Sequence, residues 1–151
     1  MGDVPARTGP TPTTSVEGPH RQVDQLAPPE LWGRLVAAVF ALPDVVEGHS
    51  QVSPASSRAV FPTDRTTESS PERSLAPGRR LEPVHLHGVD DTSVHLVLPP
   101  ERGRQLLALG WAEPHGYADF GTELMVYGPR DDDELAVVLG IVEESLAFAR
   151  G

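Results

Sequence analysis

The sequence predicts an α+β domain in which a mainly antiparallel sheet carries its helices on one face. Three observations indicate this class. Helical and strand-like apolar periods are interspersed along residues 28–150, most connections between them are short, and the longest helical period comes last. The length of 151 residues suits one ordinary domain.

Apolar residues recur at helical spacing in three segments, residues 28–42, 100–109 and 131–150. Pro28 and Pro100 suit the first turns of the first two helices, because a first-turn proline loses no intrahelical hydrogen bond. Gly110 suits the C-terminal cap of the second helix. Asp131, followed three residues later by Glu134, is a variant of the capping box and predicts the start of the third.

Alternating or extended patterns predict strands at residues 44–50, 51–61, 84–88, 93–98 and 122–128. The third and fourth form a β-hairpin. Side chains alternate between the faces of a strand, so the apolar residues of the hairpin face the helices. Its three histidines, His85, His87 and His95, therefore share the opposite face, with His95 across from His85 or His87.

Two segments lack any apolar period. Residues 1–27 are rich in proline, threonine and glycine and are predicted to be a disordered tail. Residues 62–80 are polar and rich in turn formers, and we interpret them as a mobile insert. The predicted folded domain covers residues 28–150, with that insert inside it.

Composition excludes several classes of function. The chain has no cysteine, so disulfides, thiolate metal ligands and a cysteine nucleophile are excluded. The net charge of −10, with no basic stripe, disfavours nucleic-acid binding. No apolar run reaches the roughly 18 residues of a membrane span. We expect a cytoplasmic protein without a nucleic-acid or membrane partner.

His85, His87 and His95 are the central candidate residues, and three interpretations stay open. They could hold a divalent metal ion, because imidazoles at i and i+2 of one strand can converge with one from its partner. They could line a pocket with an acid–base role, or they could be structural. The coordination sphere of such an ion could be completed by one of four further residues: His49, His115, Glu82 or Asp91. No cofactor other than that alternative metal is predicted.

The loop of residues 110–121 supplies a second candidate group. Glu113 and His115 lie there among the aromatic residues Trp111, Tyr117 and Phe120. Aromatic walls with a few polar groups are typical of a small-molecule pocket. In the alternative interpretation, Trp111 and Phe120 close the core and His115 caps a turn.

Covalent serine chemistry is disfavoured. Residues 48–52, GHSQV, approach a nucleophile elbow, but valine replaces its last glycine and the chain is too short for the large parallel sheet that the elbow requires. No phosphate-binding glycine loop occurs. The acidic run at residues 131–134 is interpreted as a helix N-terminus.

The motifs PVHLH, SVHLVLPP, GWAEPH and MVYGPRDDDELAVV occur in this order. As a series they resemble the small luciferase-domain family of high-GC bacteria, over about residues 30–61 and 81–150. The resemblance implies no defined reaction. It places the candidate catalytic residues on family motifs: His85, His87, His95, Glu113 and His115. The order of elements is also similar to the YjbR and frataxin-like folds, an analogy that implies no function.

Three functions remain as alternatives after the sequence analysis. The chain could bind a small molecule in a histidine and aromatic pocket, with acid–base chemistry if it is an enzyme. It could bind a metal ion through the same histidines. It could instead be a non-catalytic interaction module that uses its long helix or a sheet edge. Whether it is an enzyme, and whether it self-associates, is left open.

Overall fold

The computed structural model describes residues 3–54, 56–64, 71–117 and 121–151. Three helices lie where the apolar periods predict them: α1 (Pro29–Phe40), α2 (Pro100–Ala108) and α3 (Asp132–Arg150). Prolines occupy the first turns of α1 and α2. Gly110 follows α2 with a φ of 86°, a left-handed conformation that glycine adopts at no steric cost.

One sheet contains six strands: β1 (Val45–His49), β2 (Arg58–Pro62), β3 (Val84–Leu86), β4 (Val94–Val97), β5 (Ala112–Pro114) and β6 (Glu123–Val126). The strand order is β1-β2-β3-β4-β6-β5, and every neighbouring pair is antiparallel. Strand β5 lies in the segment that the sequence analysis treated as a loop. Its three residues are too few to show a period.

The core lies between one face of the sheet and the helices. Alternate residues of the central strands enter it, and all are buried: Val60, Val84, Leu86, Val94, Leu96, Leu124 and Val126. Leu35 and Val39 of α1, Leu106 of α2 and Val138 of α3 meet them from the other side. The α+β prediction, with an antiparallel sheet and helices on one face, is confirmed.

The N-terminus of α3 has the predicted cap with one difference. Asp131 Oδ1 accepts a hydrogen bond from the backbone N–H of Glu134 at 2.9 Å. The Glu134 carboxylate accepts from the backbone N–H of Arg130 at 2.9 Å and pairs with the Arg130 guanidinium, where a standard capping box would return to the cap residue. Both interactions fix the backbone of residues 130 and 131 at the start of α3.

Residues 3–27 contain no helix or strand, in agreement with the lack of an apolar period, but they are packed against the domain. Gln22 has no exposed surface. Ala27 is buried and its N–H donates to Thr92 Oγ1 at 2.8 Å. An isolated bridge joins Thr14 to Gln22. The composition of this segment did not predict this packing.

Part of the predicted mobile insert also packs against the sheet. Ser74, Leu75 and Ala76 are buried, and the N–H of Leu75 donates to the carbonyl of Glu82 at 2.8 Å. Residues 65–70 of the predicted insert lie outside the described residues. Within the part of the chain that the structure describes, no helix is long and apolar enough to cross a membrane.

A substitution at Gly128 tests the packing beside β6. A Cβ at this position would overlap the backbone carbonyl oxygen of Thr92, and backbone cannot move aside as a flexible side chain can. We expect Gly128→Ala to lower the free energy of unfolding by about 1–3 kcal/mol, the usual cost of overpacking, in urea titrations.

Gly33→Ala is the matched control for that substitution. Gly33 lies on the exposed side of α1, and nothing within 4 Å would meet its Cβ. Alanine there should raise stability by up to about 1 kcal/mol through helix propensity. Equal stability of the Gly128→Ala and wild-type proteins would contradict the packing described for Gly128.

Candidate functional site

The pairing of β3 with β4 brings three histidines together on the sheet face away from the helices. His85 lies directly opposite His95. The ring centroids are 5.2 Å apart for His85 and His95, 5.2 Å for His85 and His87, and 4.7 Å for His87 and His95. One ligand atom from each residue lies within 4.8 Å of the other two, which is close enough for all three to bind one ion.

His85 is oriented by a buried carboxylate. Its Nδ1 lies 2.9 Å from Glu82 Oε2, and because an ionised carboxylate only accepts, Nδ1 carries a proton; in the neutral ring Nε2 then carries the lone pair. Glu82 also accepts from Ser50 Oγ at 2.6 Å and from the N–H of Gln51 at 2.8 Å. Burial alone would raise the Glu82 pKa, but the hydrogen bonds from His85, Gln51 and Ser50 outweigh it and lower the pKa.

His95 is oriented by a serine relay. The Ser93 hydroxyl donates to Asp91 Oδ1 at 2.7 Å, so its oxygen accepts from His95 Nε2 at 3.2 Å. The Nε2 of His95 therefore carries the proton. Its Nδ1 is buried and has no hydrogen-bond partner among the described residues.

His87 is also held by a serine, but this contact does not fix its tautomer. Its Nδ1 lies 2.9 Å from Ser57 Oγ, which in turn lies 2.9 Å from Ser53 Oγ. Its Nε2 is buried without a hydrogen-bond partner in the described ranges, and Asp91 Oδ2 is 3.9 Å away. Each of the three rings is thus held through one nitrogen, and the other nitrogen is left to act as a ligand or proton acceptor.

Burial keeps two of these rings neutral. It lowers the pKa of His95 well below its ordinary value, and the neighbouring histidines lower it further. Burial also lowers the pKa of His87, against the opposing effect of Asp91. Neutral imidazole is the form that binds metal ions and accepts protons, so these rings are competent for either role at neutral pH.

A cavity of about 520 Å³ lies over the cluster. Its lining beyond the three histidines comes from separate parts of the chain: Pro19, His20 and Arg21 from the N-terminal segment, Val52, Ser53 and Pro54 before β2, Leu75, Asp91, His115 and Glu123. The histidine face is therefore partly covered, and the cavity volume falls within the ~300–1,000 Å³ of small-molecule sites.

His115 belongs to this site. Its ring centroid lies 4.5 Å from that of His95, and its Nδ1 lies 3.2 Å from Glu123 Oε2. The structure thus brings the loop histidine next to the hairpin histidines. The distance is well inside the roughly 10 Å beyond which one ligand could not contact both.

Glu113 has a different position from the one expected. It does not line the cavity; its carboxylate accepts from Tyr127 Oη at 2.8 Å, Thr14 Oγ1 at 3.0 Å and His20 Nε2 at 2.7 Å. His20 Nδ1 accepts from the N–H of Gly116 at 3.0 Å, which fixes Nε2 as the donor. Glu113 thereby anchors the N-terminal segment over the sheet. Burial, together with the hydrogen bond to Glu113, raises the Tyr127 pKa.

The predicted aromatic wall is corrected at Trp111. This side chain is buried in the helix-side core, its Nε1 donates to the carbonyl of Pro5 at 2.7 Å, and it does not line the cavity. Phe120 and the side chain of Tyr117 lie outside the described part of the chain. His49 is exposed on β1 and is not among the lining residues.

His20 and Arg21 are cavity residues that the sequence analysis missed. They lie in a segment without an apolar period, and neither belongs to a motif. Glu82 was named only as one possible extra ligand, whereas the structure makes it the hydrogen-bond partner of His85. Glu82 lies three residues before His85, and this short spacing is the feature of the sequence that could have indicated their contact.

Comparison with known proteins finds similarity to proteins of one kind. Residues 80–145 match the family model described as "Luciferase domain". Curated proteins named "Luciferase" from Armillaria ostoyae and Armillaria gallica are each 29% identical over 166 aligned residues, which cover 98% of this chain and 62% of the relative. The protein of that name from Neonothopanus nambi is 28% identical, with 61% of its length covered.

The chain is thus similar to luciferase-domain proteins over these residues, in agreement with the motif resemblance. The chain spans about 62% of the length of the Armillaria relatives. The bacterial origin implied by the resemblance stays a prediction. No solved structure matches the chain. The family match contains the hairpin histidines and His115, but it assigns no role to them.

The buried histidines predict a specific pH dependence of stability. In the unfolded chain a histidine has a pKa of about 6.5, whereas in the folded protein burial lowers the pKa of His95. Below about pH 6.5 the unfolded state therefore binds more protons, and stability falls as the pH drops. We expect His95→Asn to flatten this fall between about pH 6.5 and 5 in urea titrations with a chelator present.

His49→Asn, at an exposed histidine of β1, is the control and should keep the wild-type slope. The lowered pKa of Glu82 acts only below about pH 4.5, outside this range. An unchanged slope in the His95→Asn protein would show that His95 is not held neutral by burial.

Proposed function

We propose that this chain binds a divalent transition-metal ion through His85, His87 and His95, and a small molecule in the cavity above it. One observation carries the proposal. His87 Nε2 and His95 Nδ1 are buried without hydrogen-bond partners among the described residues, within a cluster in which one nitrogen of each ring is held by a hydrogen bond. A buried polar atom without a partner costs roughly 1–3 kcal/mol, and a bound metal ion would remove that cost.

The surroundings of the rings fit metal ligands. A metal-binding histidine usually donates its second ring N–H to a carboxylate, a carbonyl or water, which fixes the ring and its tautomer. His85 donates to the carboxylate of Glu82, and His95 donates to Ser93, which is bound to Asp91. The serine hydroxyl on His87 Nδ1 is compatible with the same tautomer.

The charges near the cluster favour a divalent ion. The three imidazoles contribute no charge when neutral, so an ion with two positive charges needs compensation in a buried site. Glu82 is fully buried against His85, and Asp91 lies 3.9 Å from His87. Together these carboxylates balance two positive charges.

Imidazole ligands suit zinc, iron, copper and nickel ions. Three histidine ligands, even with one carboxylate added in a five-coordinate ion, leave a coordination position for water or a substrate, as in catalytic zinc sites. The cavity gives a small organic molecule access to those positions, with apolar surface from Val52, Pro54 and Leu75. If the site is catalytic, the ion would polarise a bound group or activate water.

A metal-free pocket with acid–base chemistry is the second candidate. It is favoured by the contact of His115 Nδ1 with Glu123, an arrangement in which a carboxylate orients an imidazole. The name luciferase belongs to the relatives, and neither candidate requires light emission by this chain. The apolar face of α3 is used by the core, which weakens the case for an interaction module built on that helix.

Metal content separates the two candidates. Protein made without a histidine tag and dialysed against zinc should hold one zinc ion per chain by elemental analysis. His87→Ala and His95→Ala should each reduce this to well below one, because each removes a ligand, while His49→Ala should bind like the wild type. Circular dichroism confirms that the variants are folded.

Sub-stoichiometric zinc, iron, copper and nickel in the wild-type protein would contradict the metal-binding proposal. Under that result, binding of small aromatic or apolar molecules to the metal-free protein, lost in His95→Ala, would support the acid–base pocket.

A further inference from the structure

Asp91 lies beside the histidine cluster, and its two carboxylate oxygens differ in their hydrogen bonding. Oδ1 accepts from the Ser93 hydroxyl at 2.7 Å, the N–H of Gln22 at 3.1 Å and the N–H of Ser93 at 3.3 Å. Oδ2 accepts no hydrogen bond within the described residues and lies 3.9 Å from His87 Nε2, a nitrogen that itself has no partner there. An acceptor oxygen and a ring nitrogen, neither with a hydrogen-bond partner among the described residues, thus face each other.

When His87 carries its proton on Nδ1, as the Ser57 hydroxyl allows, Nε2 presents a lone pair to Asp91 Oδ2, and the two atoms repel unless a cation lies between them. Zinc binds oxygen and nitrogen ligands at about 2.0–2.2 Å, so two ligands of one ion lie roughly 3–4 Å apart. The separation of Asp91 Oδ2 and His87 Nε2 falls in this range. It is too long for a direct hydrogen bond.

The hydrogen bonds of Asp91 connect it to the N-terminal segment through Gln22. The Gln22 side chain has no exposed surface and accepts from the N–H of Gly128 at 2.9 Å. It also donates to the carbonyls of Asp24 and Gln25, each at 3.0 Å. Gln22 is therefore the point at which the segment is fixed to the sheet.

We propose that Asp91 supplies a carboxylate oxygen as a fourth metal ligand, and that it thereby couples metal binding to the docking of residues 19–25. Residues 19–21 form one wall of the cavity. An ion that fixes Asp91 also fixes the acceptor of the Gln22 N–H, and hence this wall. The coupling is reciprocal, so docking of the segment strengthens metal binding. The inference rests on the proposed metal site.

Asp91→Asn tests the ligand role with little change in shape. The asparagine keeps Oδ1 as an acceptor for its three donors and replaces Oδ2 with an amide group, which does not bind a cation. In competition titrations against a chromophoric chelator, we expect zinc affinity to fall at least about tenfold. Asp90→Asn, at the exposed neighbour, is the matched control and should bind zinc like the wild type.

Hydrogen exchange tests the coupling. Addition of zinc should slow exchange of the amides of residues 20–25 in the wild-type and Asp90→Asn proteins, and it should slow them much less in Asp91→Asn. If Asp91→Asn does not fold, Gln22→Ala serves instead, because it leaves every proposed ligand in place. It should lower zinc affinity severalfold, whereas Val16→Ala, at an exposed position of the same segment, should not.

The results distinguish this inference from the proposed function. Zinc binding by the wild type with unchanged affinity in Asp91→Asn would overturn the ligand role and leave the three-histidine site. Zinc binding without slower exchange at residues 20–25, or with unchanged affinity in Gln22→Ala, would overturn the coupling. A wild-type protein that binds no zinc would overturn both this inference and the metal site.

Discussion

The register between β3 and β4 determines where the functional groups of this domain lie. It directs Val84 and Leu86 into the helix-side core and consequently turns His85 and His87 to the opposite face. A slip of one residue would exchange the two faces and bury the histidines among the helices. Because apolar burial enforces the register, the geometry of the cluster is a consequence of the core and does not depend on bonds between the histidines.

The segments that cover this sheet face determine the pKa values and the hydrogen bonding of the histidines. On an open sheet, water would solvate every ring nitrogen and the imidazoles would titrate near their ordinary pKa. Here the N-terminal segment, anchored by Glu113 and Gln22, and the turn containing Leu75 enclose the face. Burial removes water from His95, lowers its pKa and leaves its Nδ1 without a partner among the described residues. The site therefore requires both the sheet and a segment that has no regular secondary structure.

The sequence predicted the parts of this structure that depend on periodicity. The helices, the hairpin and the shared face of its histidines follow from the spacing of apolar residues, and each is present. The segments that cover the histidine face could not be predicted from periodicity. Several contacts of the N-terminal segment are single hydrogen bonds between residues about 90 to 110 positions apart, such as His20 with Glu113 and Gln22 with Gly128. Such pairs leave no pattern in the sequence.

The sequence left the position of Trp111 open between the pocket and the core for a related reason. It directly precedes β5, whose three residues show no period, so the sequence could not decide which side of the sheet the indole occupies. Glu113 and His115 illustrate the same limit. They are two residues apart, yet one anchors the N-terminal segment and the other joins the histidine cluster. The sequence motifs identified both residues as candidates, and their different roles become visible only in their tertiary contacts.

The central claim is that the three hairpin histidines share one metal ion. Its most direct test is an anomalous-difference map, measured at the zinc absorption edge from crystals grown with zinc. The account predicts a single strong peak about 2.0–2.1 Å from His85 Nε2, His87 Nε2 and His95 Nδ1. A zinc-saturated crystal with no peak at this cluster, or with its peak bound elsewhere, for example by His115 and Glu123, would contradict it.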